Sequence, residues 1–297
     1  RQFIAGRSPE DGLPSLEKLR KEGLAVSVDL LGEEVLSDRD ATLYADRYGK
    51  LLSFLGAKAN DWPEVLITDR DHRGPIPKLD VSLKISSFNP HLDPIDWEGC
   101  IRSTAAGVAP VLAQAEKLGA SVTFDMEHRY LKDLTIAIFL RALDEHPGFA
   151  HGGIALQAYL RETKADLANI LEWAKKNKRR VGVRLTKGAY WDYETVTSVQ
   201  EGLPTPVFPE KAETDAHYEE LTGILFENAE HLRLAFATHN IRSISHAIAL
   251  ADCLKLPRSA FEFQMIYGMA EPVRCALVKK GFRVRVYTPV GELIPGM

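Results

Sequence analysis

Short apolar segments alternate along the chain with longer amphipathic ones. Eight of the apolar segments have the length and the β-branched and aromatic content of strands. They are LAVSVDLL (24–31), DVSLKIS (80–86), SVTFDME (121–127), GGIALQA (152–158), VGVRLTK (181–187), LAFATHN (234–240), AFEFQMI (260–266) and FRVRVYT (282–288). Helical periodicity separates them, so the pattern predicts an α/β fold, a parallel (β/α)8 barrel of the TIM type.

Local signals predict where several helices begin and end. Ser37, with Asp40 three residues later, predicts the start of the first barrel helix, and Gly56 predicts its end. We expect residues 57–79 to be a long polar loop that is mobile or contacts a neighbouring domain. The 46 residues 188–233 between strands five and six exceed one crossover helix, and an enlarged loop there typically covers a ligand.

The pattern divides the chain into a short leader with a small amphipathic helix, residues 1–23, and one barrel domain, residues 24–297. The sequence ends at Met297, directly after the eighth strand. We therefore expect the chain to be part of a longer protein, with the final helix of the barrel absent from it.

Composition and net charge argue against some classes of function for this chain. The net charge is −4 and no basic face is evident, which argues against nucleic-acid binding. The basic run KKNKRR (175–180) is interpreted as the solvated end of a helix. No apolar run approaches the ~18 residues of a membrane-spanning helix. The three cysteines show no pairing pattern, which favours a reducing, cytoplasmic compartment.

Polar side chains follow the predicted strands at their carboxyl ends, where barrel enzymes keep their active sites. These residues are Glu33, Lys84, Asp125, Gln157, Arg184, Lys187, His239, Asn240, Gln264 and Tyr287. The pattern therefore predicts a functional site at this end of the barrel.

The string VRLTKGAYW (183–191) is the most informative of these segments. Arg184 never loses its charge and suits an anionic reduced cofactor, although a purely structural salt bridge remains an alternative. Gly188 and Ala189 would let the backbone approach a flat ring, on which Tyr190 and Trp191 could stack. No GxGxxG follows a strand, so a Rossmann dinucleotide site is absent from the pattern.

Lys84 and Asp125 end neighbouring strands, and we expect them to form an ion pair because burying either charge alone is costly. Such a pair can stabilise the fold or position a substrate. His239, with Asp125, Glu127 and His128, also suggests a metal-dependent barrel hydrolase, but a metal site requires three or four converging ligands. Glu33 and Asp125 could also be the paired carboxylates of a glycosidase, but the aromatic side chains that would bind sugar rings in such an enzyme are sparse.

Eight strings together resemble the proline dehydrogenase family, and within it the proline dehydrogenase barrel of the bacterial bifunctional proline utilisation A proteins. They are DLLGE (29–33), SLKIS (82–86), FDME (124–127), LQAY (156–159), VRLTKGAYW (183–191), FATHN (236–240), FEFQMIYGMAEP (261–272) and VYTPVGE (286–292). The resemblance covers residues 24–297 in order. It implies an FAD-dependent barrel that oxidises L-proline to Δ1-pyrroline-5-carboxylate by hydride transfer to flavin N5, with electrons passed to a quinone.

The resemblance also implies roles for individual residues. Arg184 would lie beside flavin N5, Gln157 would bond the pyrimidine edge, and Glu262 would contact a polar group of the cofactor nearby. The rest of FAD would be held by Thr186, Lys187, Gly188, Ala189, Trp191, Thr238, His239 and Asn240. Proline would be surrounded by Lys84, Asp125, Ala189, Tyr190, Ile266 and Tyr287, and Glu33 would be a local hydrogen-bonding partner.

Further expectations concern partners and location. The family's eighth helix carries two arginines that clamp the proline carboxylate, and we expect this helix to lie outside the chain. The resemblance implies a covalently linked aldehyde dehydrogenase domain and a cytoplasmic protein in peripheral contact with the inner face of the bacterial membrane. It leaves a homo-oligomer open. A catalytically silent barrel, kept as a docking or regulatory scaffold, is the non-enzymatic alternative.

Overall fold

The computed structural model describes residues 3–32 and 35–291. Within them eight parallel strands close into a barrel, in which the first strand pairs with both the second and the eighth. The strands are β1 Ala25–Leu30, β2 Leu79–Leu83, β3 Ser121–Phe124, β4 Gly152–Gln157, β5 Val181–Thr186, β6 Leu232–Ala237, β7 Phe261–Ile266 and β8 Arg283–Val290. The predicted (β/α)8 barrel is confirmed.

The helices are α1 Pro9–Lys21, α2 Asp38–Asp61, α3 Leu66–Asp69, α4 Trp97–Leu118, α5 Arg129–Glu145, α6 Thr163–Asn177, α7 Trp191–Glu201, α8 Lys211–Glu227, α9 Ile241–Cys253 and α10 Glu271–Lys279. Ser37 begins α2 as predicted, because its hydroxyl accepts the Asp40 N–H. The enlarged segment after β5 contains α7, which was not predicted, in addition to the expected crossover helix α8.

Several predicted boundaries are wrong, and two of them are informative. The second strand ends at Leu83, because Ile85–Ser87 form a 3₁₀ turn. Gly56 does not end α2, which continues to Asp61. A Cβ at Gly56 would lie 3.0 Å from Leu118 Cδ1 of α4. The glycine therefore serves the close approach of two helices rather than a helix end.

Residues 57–79 are not the polar loop that we expected. They contain the end of α2, the short helix α3 and a small antiparallel pair, Arg70–Asp71 with Gly74–Pro75. The Arg20 guanidinium lies 2.7 Å from the buried Asp69 carboxylate, and Arg283 of β8 donates to the Arg70 carbonyl at 2.9 Å. The segment thus covers the N-terminal end of the barrel.

The basic run 175–180 is only partly solvated. Lys175 and Lys176 are exposed as predicted. Arg179 instead donates to the carbonyls of Leu143 and Phe149, and Arg180 pairs with Asp71 at 3.1 Å. The last two arginines of the run therefore fix the lower end of the barrel.

The barrel interior is polar. Alternate side chains of a strand point to opposite faces. In this barrel the apolar set of each strand packs with the surrounding helices in one hydrophobic core. The other set faces inward, where side chains from different strands bond to one another; it includes Ser27, Asp29, Asp80, Ser82, Arg184, Glu262, Gln264 and Arg285. Charge is thus placed along the axis of the barrel.

Candidate active site

A cavity of about 600 Å³ opens at the C-terminal end of the strands, and we call it the mouth cavity. It is lined by Asp29, Leu31, Lys84, Asp125, Met126, Ala155, Gln157, Arg184, Thr186, Lys187, Gly188, Ala189, Tyr190, Lys211, Ala237, Thr238, His239, Asn240, Gln264, Met265, Ile266, Tyr287 and Pro289. Of the residues assigned above to cofactor or proline, only Trp191 and Glu262 do not line it. Glu33 lies outside the described residues.

A buried ion cluster lies at the inner end of this cavity. Lys84 Nζ is 3.0 Å from Asp29 Oδ1 and 3.7 Å from Asp125 Oδ2. The expected pair of Lys84 with Asp125 is therefore present, but Asp29 is the closer carboxylate, and sequence reasoning missed it. Burial raises the pKa of Asp29 to about 6, although Lys84 opposes the rise. Burial alone would lower the pKa of Lys84, but Tyr287, Asp29 and Asp125 raise it well above its usual value.

Arg184 joins this cluster from β5 and is almost completely buried. Its Nη1 bonds Asp125 Oδ1, its Nε donates to Gln264 Oε1 at 2.6 Å, and its Nη2 donates to Ser82 Oγ at 3.0 Å. The side chain also lines the cavity. The two alternatives raised for Arg184 are thus compatible, since it has structural partners and still faces the place where a ligand would bind.

Tyr287 closes the cluster from β8. Its hydroxyl donates to Asp125 Oδ2 at 2.7 Å, and the Arg184 guanidinium carbon lies 5.3 Å from the centre of its ring. Burial, and then the charge of Asp125, raise the pKa of Tyr287 well above its usual value. The hydroxyl therefore stays protonated and remains a donor. We call Asp29, Lys84, Asp125, Arg184 and Tyr287 the mouth layer.

One wall of the cavity has a polar atom that suits a ligand. Gln157 Nε2 donates to the Met126 carbonyl at 3.3 Å, but the buried Gln157 Oε1 has no hydrogen-bond partner within 3–32 and 35–291. An unpaired buried acceptor costs about 1–3 kcal/mol, so it fits a ligand that brings an N–H. Such a group is present on the pyrimidine edge of a flavin.

The next strand end brings main chain to the same wall. Gly188 has φ 128°, and a Cβ there would lie 2.4 Å from the Tyr159 ring. Only glycine fits this conformation and this packing. The Lys187–Ala189 backbone can therefore follow the cavity, as close contact with a flat ring requires.

The outer part of the cavity suits an anionic group. Lys187 and Lys211 both pair with Asp215, the latter at 2.7 Å. Asn240 Oδ1 accepts the Arg242 N–H at 2.9 Å at the start of α9, where the helix dipole favours anions. Sequence reasoning missed Lys211, because it lies within the enlarged segment 188–233 and not at the end of a strand. The prediction that this segment covers a ligand was the available signal.

His239 belongs to the same wall. Its Nε2 accepts the Ile266 N–H at 3.1 Å, and burial lowers its pKa. The imidazole is therefore neutral at pH 7. Within the described ranges no three His, Cys, Asp or Glu side chains are arranged to hold a metal ion.

Two predicted site residues lie elsewhere. Trp191 is the first residue of α7, is 40% exposed, and its Nε1 donates to the Phe208 carbonyl at 2.9 Å. Glu262 lies below the cavity, where Arg285 and Arg283 hold its carboxylate. The structure does not bring either residue to the mouth cavity, so their assigned contacts with a cofactor stay predictions.

The part of the chain that the structure describes contains no helix of the length and apolar character needed to cross a bilayer. Peripheral contact with a membrane remains an expectation.

Comparison with known proteins agrees with this architecture. The family model for proline dehydrogenase matches residues 13–297. A proline dehydrogenase of Deinococcus radiodurans is 29% identical over 291 residues, which cover 98% of this chain and 81% of that protein. The bifunctional protein PutA of Escherichia coli is 26% identical over 299 residues, 98% of this chain but 22% of that protein.

A solved structure is also closely similar. PutA from Bdellovibrio bacteriovorus, inactivated by N-propargylglycine, has 41% sequence identity and a TM-score of 0.97, over 99% of this chain and 31% of that one. The chain thus spans less than a third of the PutA proteins that it matches. The family match covers nearly all of the chain, and it agrees with the polar barrel and its mouth cavity. The chain belongs to the proline dehydrogenase family, a family of flavin-dependent oxidoreductases.

Proposed function

We propose that this chain oxidises L-proline to Δ1-pyrroline-5-carboxylate with FAD bound in the mouth cavity. The observation that carries the proposal is the mouth layer, a buried cluster of opposite charges that faces a cavity with an unpaired acceptor in its wall. Proline carries both an ammonium and a carboxylate, so a pocket with both signs of charge suits it. Family membership supports the same reaction.

Bound FAD would supply the acceptor for two electrons. Gln157 Oε1 would accept a hydrogen bond from the pyrimidine edge, and the backbone around Gly188 would lie against the ring. Lys187, Lys211 and the start of α9 would face the phosphates. Arg184 would place positive charge beside the flavin ring and stabilise negative charge there.

The residues of the mouth layer would bind and orient proline. Its ammonium must lose a proton before the carbon next to nitrogen can be oxidised, because the nitrogen lone pair stabilises the developing iminium. Lys84 beside the substrate would lower the pKa of this ammonium by repulsion. The Asp29 carboxylate, whose pKa of about 6 lies near neutrality, suits acceptance of the proton.

The proposal extends to partners by likeness to the bifunctional relatives. Electrons would pass to a quinone during peripheral contact with a membrane. An aldehyde dehydrogenase domain in the same protein would oxidise the product further. Tyr287 would sense the substituent of 4-hydroxyproline.

An anaerobic visible spectrum of the purified full-length protein tests the proposal. We expect a flavin spectrum that bleaches when L-proline is added and does not change with D-proline. Flavin that stays oxidised at saturating L-proline would contradict the proposal, and protein that binds no flavin would favour the scaffold alternative.

A further inference from the structure

Gln264 lies on β7 between the mouth cavity and the charged residues below it. Its side chain is buried, its Oε1 accepts the Arg184 Nε–H at 2.6 Å, and its Nε2 donates to Glu262 Oε1 at 2.7 Å. A single amide therefore joins Arg184 to Glu262. None of the roles considered above assigns a function to this residue.

The chemistry of the two neighbours fixes the orientation of this amide. The Nε of arginine is only a donor, and an ionised carboxylate is only an acceptor. Turning the amide by 180° would place two donors together on one side and two acceptors on the other. Both bonds would be lost, so only one orientation satisfies the site.

Glu262 is itself held firmly. Arg285 approaches its carboxylate with Nε at 2.6 Å and Nη2 at 3.1 Å, and Arg283 Nε lies at 2.9 Å. Burial alone would raise the pKa of Glu262, but Arg285 and Arg283 lower it to about 2. The carboxylate therefore stays an acceptor at every pH at which the protein would work. We call Glu262, Arg283 and Arg285 the lower layer.

Gln264 supplies the third point that defines the Arg184 guanidinium plane. Asp125 and Ser82 hold the two terminal nitrogens, and Asp80 lies 3.5 Å from Nη2. Gln264 holds the inner nitrogen. A planar group held at all three nitrogens cannot tilt, whereas two terminal contacts alone leave rotation about the line between them.

We propose that Gln264 is a positioning residue that connects the lower layer to Arg184 and keeps the guanidinium in the orientation in which it faces the flavin. The inference rests on the proposed function, since it assigns Arg184 a place beside the cofactor. Gln264 acts through Arg184 and not on the substrate. Its loss should affect the cofactor more than proline binding.

Gln264→Met tests this inference, because methionine has a similar length and removes both bonds. A displaced guanidinium would stabilise the anionic reduced flavin less, so the flavin midpoint potential should become more negative. We expect kcat to fall roughly 10-fold, while the KM for proline changes less than about twofold. In a crystal structure of the variant, the Arg184 guanidinium should be rotated from its wild-type plane.

Four further variants separate positioning from a general loss of stability. Asp69→Asn, far from the cavity, should destabilise the protein but leave the potential unchanged. Gln264→Glu should repel Glu262, and the exchange Glu262→Gln/Gln264→Glu should recover part of the potential by restoring one carboxylate and one amide. Gln264→Asn, too short to reach both partners, gives the same readout if the methionine variant does not fold.

A midpoint potential equal to wild type in Gln264→Met or Gln264→Asn would overturn the inference, whether or not Arg184 moves. Failure of the proposed function would be recognised separately. In that case the wild-type protein itself would bind no flavin or would not be reduced by proline, while the orientation of Arg184 in the variant could still be read from its crystal structure.

Discussion

The mouth layer and the lower layer are both buried charge clusters inside one barrel, yet they differ in what lies beside them. The mouth layer faces a cavity of about 600 Å³. The lower layer borders a space of about 80 Å³, and residues 57–79 cover that end of the barrel. One cluster thus has room for a ligand, and the other has room for little more than water.

The comparison shows that buried charge has two uses in this fold. In the lower layer both oxygens of Glu262 accept from arginines, which is the geometry that a buried carboxylate needs. In the mouth layer Asp29 keeps a pKa of about 6, which shows that burial outweighs the effect of its partner. A carboxylate in that condition is costly for stability and useful for proton transfer.

The largest effect is expected from Asp125→Asn. The substitution keeps the shape of the side chain but removes the negative charge of the carboxylate, which pairs with Arg184 and accepts a hydrogen bond from the Tyr287 hydroxyl. We expect kcat/KM for L-proline to fall roughly 10²–10³-fold, as for loss of one preorganised electrostatic group. Arg184 and Lys84 keep Asp80 and Asp29 as neighbouring carboxylates, at 3.5 Å and 3.0 Å, so the free energy of unfolding should fall by less than the roughly 3 kcal/mol expected when a buried pair is broken. Steady-state kinetics measures kcat/KM, and urea unfolding measures the free energy of unfolding. A loss of stability with unchanged kcat/KM would show that the mouth layer, like the lower layer, serves only to stabilise the fold.

The opposite result is expected for Asp69→Asn at the lower end. It leaves the buried Arg20 without its carboxylate and should cost about 3 kcal/mol of unfolding free energy. Once folded, the enzyme should keep kcat/KM within about twofold, because neither residue lines the mouth cavity. A large kinetic loss at unchanged stability would show that the lower end also takes part in the reaction.

The pH dependence of stability should have opposite signs for the two layers. The pKa of Glu262 is lowered from 4.5 to about 2, so its stabilisation is present above pH 4.5 and is lost as the pH falls. Between pH 4.5 and 3 this loss amounts to about 2 kcal/mol, at 1.36 kcal/mol per unit. The pKa of Asp29 is raised from 3.8 to about 6, so its contribution is full below pH 3.8 and is lost as the pH rises through 6.

Urea unfolding between pH 3 and pH 7 measures both slopes. Asp29→Asn should remove the decline between pH 4 and 6, and Glu262→Gln should reduce the decline below pH 4.5. Slopes unchanged by these variants would assign the pH dependence to other groups.

Much of the fold was accessible from short windows of sequence. Each strand carries its own apolar pattern, and Gly119 ends α4 in the left-handed conformation that glycine favours. The alternation of apolar and polar residues in VSVD and LDVS was also visible, and it could have indicated Asp29 and Ser82. Choosing the inward face for the polar set, however, requires a closed barrel with helices outside.

The parts that failed depend on distant contacts. Gly56 resembles a helix end locally, but it faces Leu118 on another helix. Residues 57–79 are polar, yet Asp69 and Asp71 are held by Arg20 and Arg180 from other elements. Local composition cannot distinguish such a segment from a solvated loop, because its stability comes from partners elsewhere in the chain.

The sequence by itself determined the order of the elements, the parallel barrel, the end of the barrel that holds the site and the family. The first three follow from residue periodicity and from side chains at strand ends, whereas the family follows from the resemblance of eight strings to its members. Only the tertiary structure decided which charges meet, because Lys84 and Asp29 are 55 residues apart and Arg184 and Asp125 are 59 apart. Several cations and carboxylates reach the same interior, and the register of the closed barrel selects the pairs among them.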